Sequence, residues 1–86
     1  MPRISHFFGI TITMYYNDHM PAHFHAVYAE HEVTIMIETL EVVSGQLPRR
    51  ANALVLEWAS LHRAALYANW WKARAGLSLE SIEPLE

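Results

Sequence analysis

At Pro48 the spacing of apolar residues changes from every second position to about every 3.6, so this chain must join a sheet-forming half to a helix-forming half. In residues 10–16, Ile10, Ile12, Met14 and Tyr16 alternate with Thr11, Thr13 and Tyr15. That is the period of a half-buried strand, and it predicts that the first four face the core. Asn17-Asp18-His19-Met20-Pro21 reads as a loop, because Asn and Asp favour turns and Pro21 lacks a donor and restricts Met20.

Residues 23–29 and 32–38 read as two further strands joined by a Glu30-His31 turn. Counting outward from that turn pairs Ala29 with Glu32, Tyr28 with Val33, Ala26 with Ile35 and Phe24 with Ile37, all on one face apart from the first pair. The other face then sets His23 opposite Glu38 and His25 opposite Met36. Thr39-Leu40 would turn the chain into a short fourth strand, 41–45, with Val42 inward.

From Pro48 to Ala75 no Gly or Pro interrupts the helical period, Pro suits the first turn, and Gly76 sits where a C-cap belongs. One long helix over 48–75 is the expectation. At 100° per residue its inward face carries Ala51, Val55, Trp58, Ala59, His62, Ala65, Leu66, Asn69, Trp70 and Ala73. His62 and Asn69, polar on that face, should be at least partly buried and bonded, whereas Trp71 falls on the far side as an exposed indole. Residues 77–86 should lie extended on the domain. The fold class is therefore α+β: an antiparallel β-meander of three to four strands with one long C-terminal helix packed on one face, forming a single domain over 1–86.

An 86-residue chain buries only about 60–65% of its unfolded surface, so one aromatic-rich core has to serve. Three Trp, four Tyr and three Phe supply it. The absence of cysteine excludes disulfides, cysteine–zinc sites and thiol catalysis. No apolar run reaches the length of a membrane span, and Met1-Pro2-Arg3-Ile4-Ser5 leads into no signal-like segment, so a cytoplasmic location is expected with no membrane partner. A net charge of −3 disfavours nucleic acid as a partner held by bulk electrostatics, although Arg49, Arg50, Arg63, Lys72 and Arg74 gather in the C-terminal half.

His19, His23 and His25 form an H-x3-H-x-H pattern. On a strand His23 and His25 point the same way, and a loop His19 could add a third nitrogen, a set suited to zinc or another divalent transition metal. A second reading makes His23 or His25 a general acid or base oriented by Glu38 or Asp18, with Arg49 or Arg50 holding phosphate, as in a small nuclease. A third is structural: Asp18 and His19 stabilise the loop, and His23 pairs with Glu38. No nucleophile motif, Gly-rich phosphate loop or organic-cofactor motif accompanies them, so whether the chain is an enzyme stays open.

Phe7-Phe8-Gly9-Ile10, the run Met14 to Ala26 with its Asp-His-x-Pro-x-His-Phe-His-Ala core, Leu47-Pro48-Arg49-Arg50, Glu57-Trp58-Ala59 and Ile82-Glu83-Pro84-Leu85 together resemble the small bacterial proteins grouped as domain of unknown function 4160. The resemblance spans nearly the whole chain and carries no activity. Members often sit beside a gene for a second small domain, which invites comparison with toxin–antitoxin pairs and implies a small protein partner. The sheet face that the helix leaves uncovered would carry Thr11, Thr13, Tyr15, His23, His25, Met36, Glu38 and Val43, mixed in polarity as a partner-binding surface is. A binding or regulatory module using that face is therefore the leading expectation, with a small nuclease or metal-dependent hydrolase built on His19, His23 and His25 as the alternative. Ala29 and Leu40 stand where Gly is usual in the family's two hairpin turns.

Overall fold

The computed structural model describes residues 2–86. Five strands come first: β1 (Arg3–Phe7), β2 (Ile10–Thr13), β3 (His23–Tyr28), β4 (His31–Met36) and β5 (Val42–Gly45). Two helices follow, α1 (Arg49–Leu61) and α2 (Arg63–Arg74). The strands form one antiparallel meander in chain order.

The fold is thus α+β as the periodicity indicates, but with one strand more and with the helix divided. The additional strand, β1, hides its period behind a bulge: the register slips between Arg3 and Ser5, so its buried apolar residues, Ile4 and Phe7, stand three apart rather than two. Phe8 and Gly9, at φ 49° and 78°, close the β1–β2 hairpin. The helix breaks at His62, whose φ of −126° and ψ of 26° are not helical. Neither Gly nor Pro stands there. Arg63, the first residue beyond the break, reaches over the sheet and donates from Nε to the Ile37 carbonyl at 3.2 Å.

The β3–β4 turn is Ala29-Glu30, one residue earlier than the Glu30-His31 turn expected from spacing. Tyr28 therefore pairs with His31, Ala26 with Val33, Phe24 with Ile35, His25 with Thr34 and His23 with Met36. The correction moves each partner by two residues, so every side chain keeps its face and only its neighbour changes. The early turn follows from Ala29 adopting φ 54°, a conformation that favours glycine. Leu40 is similar at φ 62°, and the next turn runs through Ile37 to Leu40 instead of closing at Thr39-Leu40 alone. β2 also stops at Thr13, leaving Tyr16 exposed, and Val42 on the edge strand is 42% exposed rather than inward.

Ile10, Ile12, Met14, Phe24, Ala26, Val33, Ile35 and Ile37 bury their side chains against Val55, Trp58, Ala59, Leu66 and Trp70 of the helices. Trp58 packs on Phe7 and Phe24, with ring centroids 5.4 and 6.0 Å away. His62 is half-buried beside Trp58, its ring 5.5 Å away, and makes no side-chain hydrogen bond among the described residues, contrary to expectation. α2 ends in a Schellman motif, with Gly76 N–H donating to Ala73 O and Leu77 N–H to Lys72 O. The following segment lies along the β1 edge: Ile82 N–H donates to Ile4 O at 2.8 Å, and the Trp58 indole donates to Glu83 O at 2.7 Å. No helix among the described residues is long and apolar enough to cross a membrane.

Candidate metal centre

The face of the sheet turned away from the helices is not the open surface that strand alternation suggests. The loop between β2 and β3 folds back over it, burying Thr13, His23 and His25 to 2%, 7% and 9% exposure. Asn17 at φ 54° turns the chain, and its N–H donates to Ala73 O at the end of α2. Arg74 donates from Nη1 to the Asp18 carbonyl at 2.6 Å. These two bonds pin the backbone of Asp18 and leave its carboxylate facing β3.

Three donor atoms converge there. His23 Nε2 lies 2.8 Å from Asp18 Oδ2, and His25 Nε2 lies 3.6 Å from the same oxygen. All three atoms fall within 4.8 Å of one another. A tetrahedral ion with ligand bonds of about 2.1 Å needs donors roughly 3.4 Å apart, so small side-chain rotations would complete such a set. The opposite ring nitrogens are already engaged: His23 Nδ1 donates to Pro21 O at 2.8 Å, and His25 Nδ1 is 3.2 Å from Thr34 Oγ1. Partners of that kind fix the tautomer that points Nε2 at a metal. Asp18 is oriented in the same way, because its Oδ1 accepts from the His19 N–H at 2.9 Å.

The electrostatics agree with this arrangement. Burial alone would raise the Asp18 carboxyl, but the His19 N–H and the rings of His23 and His25 outweigh it and hold the group below its ordinary value of 3.8. Burial, reinforced by His23, holds His25 below 6.5 against the opposing pull of Asp18 and Glu32. That direction favours the neutral ring, the form that ligates metals. His25 Nε2 is buried and has no hydrogen-bond partner among the described residues; the same holds for the Thr13 hydroxyl, on the residue paired with His25, and for the indole N–H of Trp70, whose ring lies 5.1 Å from His23.

The centre forms the floor of a pocket of about 550 Å³ whose walls include Tyr15, Tyr16, Met36 and Val43. His19, expected as the third nitrogen ligand, instead turns its Nδ1 to Asp18 Oδ1 at 3.1 Å with its side chain 89% exposed at the pocket mouth. The group that does converge with His23 and His25 is the Asp18 carboxylate, five residues before His23. Glu38 does not face His23; it accepts a hydrogen bond from the Tyr67 hydroxyl and is exposed. Arg49 and Arg50 line a different cleft, with Leu54 and Glu57. Thr34 and the Pro21 carbonyl were not foreseen. The sequence signal for Thr34 was the hairpin register, displaced by two.

No curated protein and no solved structure matches this chain. The Asp-His-x-Pro-x-His-Phe-His-Ala segment that builds the centre lies inside the stretch, residues 9–71 of the 86, that matches a family profile, and on that match the chain belongs to the family described as domain of unknown function DUF4160.

Proposed function

We propose that the protein is a metal-dependent hydrolase in which Asp18, His23 and His25 hold one divalent transition ion at the floor of the pocket. The observation that carries this reading is His25 Nε2: buried, without a hydrogen-bond partner among the described residues, and 3.6 Å from the oxygen that already meets His23. Two imidazoles and one carboxylate suit zinc and its neighbours, and three protein ligands leave a position open toward the pocket. A water in that position would ionise near neutral pH, which is the chemistry that hydrolysis requires. The chain's own residues would fix ring orientation through Pro21 O and Thr34, exclude bulk water with Tyr15, and pass a proton to solvent through His19 at the mouth.

Equilibrium dialysis of untagged apoprotein against zinc tests this. The reading expects one ion per chain, loss of at least about 100-fold in affinity for His25→Ala and Asp18→Asn, and retention by His19→Ala. Protein that takes up no zinc at micromolar concentration, or that depends on His19 and not on Asp18, contradicts it.

A second reading, a binding module for a small protein in a two-gene toxin–antitoxin-like pair, is favoured by the open edge of the sheet. All four residues of β5 are exposed, and Val42 and Val43 are 42% and 58% accessible. Capture of the neighbouring gene's product by wild type but not by Val43→Lys would support it.

A further inference from the structure

Resting on the metal reading, we infer that the pocket binds a small monocarboxylate with an apolar or aromatic body, the acid released when its ester or amide is hydrolysed. Charge sets the head group. A divalent ion exceeds the single Asp18 carboxylate by one positive charge, and the two histidines ligate as neutral rings, so one further negative ligand balances the centre. Glu32, 3.7 Å from His25 Nδ1, is 53% exposed, and water screens its charge.

The pocket lining contains no Lys or Arg. A phosphate monoester or diester is ordinarily gripped by such cations, in bidentate form by Arg, and would find none here. Arg74, which touches the loop, gives one N–H to the Asp18 carbonyl and is not among the lining residues.

The walls set the body. Tyr15, Tyr16, Pro21, Met36 and Val43 surround the mouth, and about 550 Å³ admits a ring or short alkyl chain beyond the carboxylate. Asn17, Thr34 and Ser44 add neutral polar groups. In the corresponding hydrolysis, water oxygen bonds to the acyl carbon and the acyl C–O or C–N bond breaks, one water proton passing to solvent and the other leaving with the alcohol or amine. The carboxylate product is then left facing the ion.

Cobalt-loaded wild-type protein, titrated separately with benzoate, acetate and inorganic phosphate while its visible spectrum is followed, tests the inference. Saturable spectral change with benzoate is expected, with a Kd at least about tenfold below that for acetate and below that for phosphate. Tyr16 and Val43 are exposed and hold no ion, so Tyr16→Ser and Val43→Ser should retain cobalt and lose several-fold of the benzoate affinity while acetate binding stays unchanged. A cobalt spectrum indifferent to benzoate, or phosphate binding more tightly than benzoate, overturns the ligand class and leaves the metal centre standing. Failure of wild-type protein to bind cobalt overturns the metal reading and this inference with it.

Discussion

Thr34 stands directly across the β3–β4 ladder from His25, and its hydroxyl oxygen lies 3.2 Å from His25 Nδ1. With an ion bound at Nε2, Nδ1 would carry the ring proton and the hydroxyl would accept it. Thr34→Val keeps shape and removes the acceptor, so it should weaken zinc binding about 10- to 100-fold with little change in melting temperature. Thr34→Ser should restore affinity to within a few-fold. Competition titration against a chromophoric chelator reads both, and equal affinity in Thr34→Val and wild type would remove Thr34 from the centre.

Acidification should loosen the fold in two stages. His25 is held below 6.5 in the folded chain, so its stabilising contribution is complete above that pH and disappears as pH falls from 6.5 through the depressed folded value. Asp18 behaves alike at lower pH: its contribution, complete above 3.8, disappears as pH falls through its own depressed value. Thermal melts in metal-free buffer should therefore show a falling midpoint below pH 6.5, and His25→Gln should abolish that first fall. A midpoint that rises on acidification between pH 7 and 5 would show the sign to be wrong.

Asn69 tethers the chain end to α2 by a reciprocal pair. Its Nδ2 donates to Glu80 O at 2.8 Å, and its Oδ1 accepts the Glu80 N–H at 2.9 Å. Asn69→Leu leaves both backbone groups unpaired on a partly buried segment, at a cost of about 1–2 kcal/mol. Urea unfolding measures it. Loss of protection at the Ile82 amide, which bonds to Ile4 O, should accompany the change in hydrogen exchange.

Ala29 is exposed and holds φ 54°, so Ala29→Gly relieves backbone strain while removing only a solvated methyl. Strain of about 1–2 kcal/mol against a glycine entropy cost of about 0.5–1 leaves a net gain of roughly 0.5–1 kcal/mol. A higher urea midpoint at unchanged slope is the expected result. Leu40→Gly should gain less, because Leu40 also packs against the core.

The same two residues show where sequence reasoning stopped. Alternation at Ile10, Ile12 and Met14 and the helical stripe from Ala51 to Ala73 were readable because burial repeats at a fixed period there. The Ala29 turn was not, since nothing in an alanine announces a left-handed backbone; the glycine usual at that position in the family was the available clue. β1 was masked by its bulge, and the break at His62 carries no Gly or Pro. The approach of Asp18 to His23 is not legible in the sequence, because it depends on Asn17 reversing the loop and on Ala73 and Arg74 holding it, contacts between residues 56 apart.

Nitrogen-15 spectra of the histidine side chains, recorded before and after one equivalent of zinc, test most directly whether Asp18, His23 and His25 together hold the ion as proposed. Of the six histidines, His23 and His25 should move their Nε2 resonances into the metal-bound range while each Nδ1 remains protonated. His6, His31 and His62 should stay where they were. Unchanged spectra, or coordination through Nδ1 or through His19 in place of His25, would contradict the centre described.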